Sequence, residues 1–246
     1  MPMARRLHVG ASKVHKWLSL VIGVQLLLWF ASGALMSFLP IDKVRGEHLV
    51  DRSAVATIPP AMRMADPAAQ IERAGAPVET IAWRMRDGSL IAEVTTTHGT
   101  VLLDASTGEG LAPIDAGSAK QIARKAWRSK DKPSSKATFV SAESPEYRDV
   151  LPAWRIAFSD PDRTSVFVAA NTGRITAVRT GTWRLYDFFW SLHIMDWKNH
   201  ENFNTPWLLA FAIGGLLMGT AGAVLLFMRW PLRRRRRRPG PSPYLN

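Results

Sequence analysis

The chain contains no cysteine, no acidic residue in either terminal segment, and no charge at all in two long apolar runs. Without cysteine there is no disulfide framework, no thiolate nucleophile and no zinc-thiolate site. A folded domain between the runs, about 165 residues long, must then stand on its hydrophobic core alone, and that length is sufficient. No phosphate-binding glycine loop or nucleotide fingerprint is present either. The apolar runs lack the intramembrane charges that mark proton or ion paths, which argues against a transporter or channel.

What is present begins with the runs themselves, Trp17–Ile41 and Trp207–Met228. At 1.5 Å rise per residue each matches or exceeds the roughly 30 Å hydrocarbon thickness of a bilayer. Backbone in lipid must satisfy its own hydrogen bonds, so both are expected as helices. Basic residues cluster on the outer side of each run: Arg5, Arg6, Lys13 and Lys16 before the first, Arg229 and Arg233 to Arg238 after the second. The positive-inside rule then puts both termini in the cytoplasm and residues 42–203 outside, with the inner membrane as the expected location. The first run is longer than a signal-peptide core and carries an interfacial Trp17, so an uncleaved anchor is expected.

The formal charge of +12 is concentrated in those tails: residues 1–16 and 229–246 hold 11 of the 32 Lys and Arg and none of the 20 acids. It reads as a topology signal with anionic-lipid contact, not as a nucleic-acid footprint. Nucleic acid is not an expected partner.

Between the runs, residues 42–65 read as a linker. Asp66-Pro67 has the form of an N-cap with proline at the first helical position, opening a short helix to Ala74. Strands follow at Glu79–Arg86, Leu90–Thr96 and Thr100–Asp104, joined by Asp87-Gly88 and His98-Gly99 turns. A second helix is predicted over Ser118–Ser129. Strands resume at Ala137–Ser141, Pro152–Ser159 and Thr164–Ala170, and another begins near Gly173. Residues Val101–Gly108 (VLLDASTG) align without a gap to Val166–Gly173 (VFVAANTG), and each copy follows a Trp-Arg strand, Trp83-Arg84 or Trp154-Arg155. Two copies of a helix plus an antiparallel meander make an α+β domain, in repeats over 66–115 and 116–182.

This repeat resembles the PepSY superfamily, whose modules pack a helix on a three-stranded antiparallel sheet. The ends resemble the PepSY-associated transmembrane helix family, on the strings His15-Lys16-Trp17-Leu18 and Leu192-His193. The resemblance covers roughly residues 12–230. It implies a membrane α+β protein, with two transmembrane helices (17–41 and 204–229) flanking an extracytoplasmic domain of two PepSY-like repeats. Some relatives look like haem-bearing reductases with four or more spans; this chain has two.

The segment Trp183–His200 (WRLYDFFWSLHIMDWKNH) is the densest candidate site. On a continuous helix Tyr186, Phe189, Trp190, His193, Trp197 and His200 share one broad face. Imidazole and flat apolar walls suit a b-type haem, with His193 and His15 as candidate iron ligands and His200, Trp190 and Trp197 as further cofactor contacts. The competing reading is an aromatic belt at the membrane interface. His15 and His193 fall on opposite membrane faces, so a second ligand must come from another copy, another subunit, or nowhere. Small residues at four-residue spacing (Ser19 and Gly23; Gly33 and Ser37; Gly215, Gly219 and Ala223) suit either packing of the two spans within one chain or a homodimer. Gln25 and Ser32 are the notable polar groups of the first run; Gln25 is expected to hydrogen-bond to the second helix, and Asp187, Asp196 and Glu201 to face water or pair with Arg184 and Lys198. The outer domain offers no catalytic constellation: His48, His98 and the turn Asp160-Pro161-Asp162 lack metal-ligand spacing.

Two functions follow as expectations. The first is an accessory component of an envelope redox or iron/haem-linked system, with a homodimer or a membrane redox protein as partner beside the lipid bilayer. Any reductase activity would need electrons from that partner. The alternative is a cofactor-free extracytoplasmic binding or regulatory module that restrains a peptidase or senses the envelope.

Overall fold

A computed structural model describes residues 2–52 and 57–229, with the side chains of 2–15, 221 and 224–229 outside that description. The arginine-rich tail therefore lies outside the described residues. The chain divides into two compact units, one formed by 1–37 with 189–246 and one by 38–188.

The first unit is helical. Helix α1 runs unbroken over Pro2–Phe38, and Lys16–Phe38 is long and apolar enough to cross a bilayer. It stops just before Pro40, whose ring disfavours helical backbone in the preceding residue. Helix α6, Pro206–Arg229, opens with proline at its first position and with the Thr205 hydroxyl accepting from the Leu208 amide at 3.2 Å. The two helices pack through glycine. A Cβ on Gly214 would lie 2.7 Å from the Ile22 side chain, and one on Gly215 3.4 Å from Leu26. Gly23 and Gly219 meet nothing within 4 Å. Of the two readings of the small residues, packing within one chain accounts for Gly215 but not for Gly23 or Gly219.

The second unit holds two antiparallel sheets. A short helix α2 (Ile41–Val44) leads in, and α3 (Pro67–Arg73) is capped by the Asp66 carboxylate, which accepts from the Ala68 amide at 3.0 Å. The first sheet orders β1 (Val78–Arg86), β2 (Ser89–Thr96) and β3 (Gly99–Asp104) as consecutive hairpins. Asp87 and Gly88 both have positive φ, 51° and 87°, as a two-residue hairpin turn matched to strand twist requires. Leu90, Ala92, Val94, Leu103 and Ala105 form its core, with Trp83 packed against them.

Helix α4 spans Ala116–Ala126, starting two residues before the predicted Ser118 because Asp115 is the cap, accepting from the Ser118 amide at 2.7 Å. It ends before Trp127, which leaves the helix in extended conformation and turns into the core. The second sheet orders β4 (Ser135–Val140), β5 (Ala153–Phe158), β6 (Ser165–Ala169) and β7 (Ile175–Arg179). Every residue of β6 is buried, because the sheet is covered on both faces. Val166 and Val168 face α4, while Phe167 stacks on Tyr147 with ring centroids 4.5 Å apart. Residues 42–65, expected as a linker, are in part structural: Val50 is buried in the core beneath α4. Gly46 has φ +70°, and a Cβ there would strike Val178 at 2.5 Å.

The two copies of the sequence motif end alike, but the strands before them differ. The turns after β3 and β6 are closed alike, by Gly108 N–H to Asp104 O at 2.8 Å and Gly173 N–H to Ala169 O at 2.7 Å. The two Trp-Arg pairs, expected at equivalent places, are not equivalent. Trp83 lies on β1 opposite Ala92, whereas Trp154 lies on β5, paired with Val168 of the next strand. At that level the second sheet also carries Phe139, paired with Trp154 across the strands, ring centroids 5.0 Å apart.

Candidate functional site

Helix α5 covers Gly181–Ile194, not the whole predicted stretch to His200. Met195 takes a left-handed φ of 55°, and the Asp196 amide bonds back to the Ser191 carbonyl at 3.1 Å, which closes the helix. Beyond it, the Asp196 carboxylate collects the amides of Asn202 (2.9 Å), Asn199 and Glu201 (3.1 Å each) and Lys198 (3.3 Å). Those N–H donors, Asn202 first, hold its carboxyl well below the ordinary range. Asp196 is thus a buried loop organiser and not a solvated charge. Arg184 pairs instead with Glu146, at 2.7 Å. Burial pushes the Glu146 carboxyl up, but the hydrogen bond and charge of Arg184, with Arg155 and Arg179 behind them, overcome this and hold it below its usual value.

This ending separates the predicted residues. His193 and Trp190 remain on the helix. Trp197 is exposed in the loop, and His200 sits at a φ of 59°, its carbonyl accepting from Trp190 Nε1 at 3.0 Å. The single helical face carrying both histidines does not exist, because the carboxylate-centred loop replaces the last turn and a half. The side chain of His15 lies outside the described residues. Its backbone is 17 positions from Ser32 on α1, about 26 Å along the axis, so it cannot share an iron with His193 in one chain.

His193 is placed against α1. Its Nδ1 is 2.9 Å from Ser32 Oγ, its ring centroid is 6.4 Å from that of Trp29, and Gly33 leaves its Cε1 room. The Ser32 hydroxyl lies 2.7 Å from the Leu28 carbonyl and 3.1 Å from that of Trp29. With its one proton on a carbonyl, Ser32 Oγ accepts from His193 Nδ1–H and Nε2 keeps a free lone pair; with that proton given to Nδ1, Nε2 carries the hydrogen. Three and seven residues before Ser32, on the same face of α1, Trp29 Nε1 and Gln25 Nε2 are buried without a hydrogen-bond partner. The expected bond from Gln25 to the second helix is not made: the nearby part of α6 is glycine and leucine and offers no acceptor. Sequence reading singled out His193, Gln25 and Ser32 but did not pair Ser32 with His193, and it passed over Trp29. The spacing Gln25, Trp29, Ser32 was the available signal.

Among the described residues no group of three or more His, Cys, Asp or Glu is placed to hold a metal ion. Porphyrin iron needs less from the protein, since the macrocycle supplies four nitrogens. Of the candidate residues, His193 would hold such a group, with the buried N–H groups of Gln25 and Trp29 on the neighbouring helix.

A long apolar helix joined to a mixed helix and antiparallel-sheet unit defines a membrane-associated α+β protein. The model of the family described as PepSY-associated TM region (PepSY_TM) matches residues 12–242, and the chain belongs to that family. No match was found among curated proteins or among solved structures.

Proposed function

We propose that this chain is an accessory component of an envelope redox or iron/haem-linked system, spanning the inner membrane twice and binding a b-type haem through His193. The observation that supports this reading is the seat of His193 against α1, its Nδ1 2.9 Å from Ser32 Oγ; in the tautomer protonated at Nδ1, Nε2 is the nitrogen for a ligand. Helix α6 has 24 residues and serves as the second span, so residues 42–203 face outward. When bound, the haem would supply one-electron chemistry. The protein's part is local: Ser32 orients the imidazole, Trp29 walls it, and Gln25 and Trp29 offer N–H donors inside the helical pair. His15, at the opposite end of α1, would serve only a separate group or a second copy. An absorption spectrum of the full chain purified in detergent tests this. A reduced-minus-oxidised b-haem band that is lost in His193→Ala and shifted in Ser32→Ala is expected, and a colourless folded preparation overturns it.

A second reading, a cofactor-free binding module displayed outside the cell membrane, is favoured by a cleft between the two sheets, at Gly173 and Arg174. A reporter fused at position 246 should be active on the cytoplasmic side under both readings.

A further inference from the structure

The turn after β6 and the end of β1 border a half-open cleft of about 520 Å³, within the range of small-molecule sites. Its charged lining is dominated by cations: Arg84 and Arg86 from β1, Lys125 from α4, Arg174 after the turn, and Arg52 from the segment before α3. Arg84 and Arg86 are two apart on one strand and so share a face of the sheet. Ile122, Ala126 and Ile175 supply an apolar wall.

The cations are not evenly neutralised. Arg52 faces Glu47 at 3.6 Å, and Lys125 pairs with Asp87. Arg84 and Arg174 share one carboxylate, Glu93, at 3.1 and 2.7 Å. Asp51, also in the lining, is taken by Arg128 outside it. Among the described residues no carboxylate pairs with Arg86, and its Nη1 is buried with no partner. A buried guanidinium nitrogen without an acceptor is costly, and its planar fork matches a carboxylate or phosphate. The positive surplus therefore sits beside an apolar wall in a cavity of ligand size.

We propose that this cleft binds a small organic oxyanion, a carboxylate or phosphate joined to an apolar body, with Arg86 and Arg174 taking the charged end and Ile122 and Ala126 the apolar one. The inference stands apart from the haem reading and gives the cofactor-free reading its ligand class. Haem colour and oxyanion binding are separate readouts, so either fails without the other.

Titration calorimetry of the full chain in nanodiscs with phenyl phosphate, inorganic phosphate and neutral benzyl alcohol tests it. Saturable binding of phenyl phosphate is expected, at least tenfold tighter than benzyl alcohol. Arg86→Gln should weaken it at least tenfold and Arg86→Lys less. Arg124→Gln, which removes an equal charge from the exposed side of α4, should leave it unchanged. Binding that survives in neutral-lipid nanodiscs and in anionic ones alike marks a free ligand, whereas competition by anionic lipid marks a headgroup as the source. The proposal is overturned if the wild type shows no saturable binding, or if Arg124→Gln loses as much as Arg86→Gln. Thermal unfolding of each variant shows whether a loss comes from misfolding, in which case the Arg86→Lys result decides.

Discussion

In both sheets the repeated strand ends the same way. Thr107 and Thr172 each accept, through the hydroxyl, from the amide two residues on at 3.2 Å, and Gly108 and Gly173 each take a φ above 70°. Past the turn the two part. The second sheet continues as β7, while the first makes a single bridge, Leu103 to Gly110, at the place where Val168 pairs with Ile175. The residues after Gly110 explain this: Gly110 and Pro113 stand where β7 has Ile175 and Val178, and proline cannot donate to a ladder. The surroundings of the turns differ as well. Gly108 lies open, its nearest neighbours at 3.9 Å, whereas a Cβ on Gly173 would meet Ile122 at 3.3 Å and Arg86 at 3.5 Å. One copy of the turn only reverses the chain; the other is also the seam between the two sheets.

The seam is held mainly by Glu93, which lies on β2 with a side chain 11% exposed and receives both Arg84 and Arg174. Arg84 also donates to the Thr172 carbonyl at the turn. Glu93→Ala leaves two guanidinium groups facing each other, and the expected loss is about 3 kcal/mol by chemical denaturation, the largest effect of this series. A loss below about 1 kcal/mol would show that the sheets do not depend on this contact. The two glycines come next. Both Gly108→Ala and Gly173→Ala incur roughly 1 kcal/mol for left-handed backbone, but only Gly173→Ala adds crowding, of about 1 kcal/mol or more. Equal midpoint shifts would erase the distinction drawn between the turns.

The displaced tryptophans give a smaller test. Trp154 Nε1 donates to the Ile114 carbonyl at 2.8 Å, and Trp83 Nε1 to Gln70 Oε1 at 3.2 Å. Replacing either ring with phenylalanine should cost about 1 kcal/mol, with Trp154→Phe the worse because its partner is backbone and cannot turn away. The smallest effect concerns acid. Glu146 is held below the usual carboxyl value by Arg184, Arg155 and Arg179 against the opposing effect of burial. A depressed folded-state value means its stabilisation is complete above the ordinary carboxylate range and is lost as pH falls through the lowered one. Hydrogen exchange should therefore show strands of the second sheet loosening on acidification, and Glu146→Gln should flatten that response.

The element types were legible because their causes are local. Asp66-Pro67 announces α3, Asp87-Gly88 announces a hairpin, and short apolar runs between turn residues announce the strands. Helix ends were harder to read. Trp183–His200 has continuous helical periodicity, yet a left-handed Met195 and the buried Asp196 carboxylate stop α5 at Ile194. Nothing in local spacing shows that a carboxylate will gather four amides instead of water. The candidate site divides in the same way. His193 stands out as an imidazole among aromatic residues, but its partner Ser32 is 161 positions away.

By itself, then, the sequence determined an apolar helix able to cross a bilayer, the strand and turn pattern, and the repeat, since these depend on hydrophobicity and backbone preference within a few residues. Only the tertiary structure decided that His193 meets Ser32, that Gln25 and Trp29 are left without partners, and that Arg86 stands unneutralised at a cavity. Each of these depends on which distant groups share one small volume, where a single proton or carboxylate is counted once and cannot serve two neighbours.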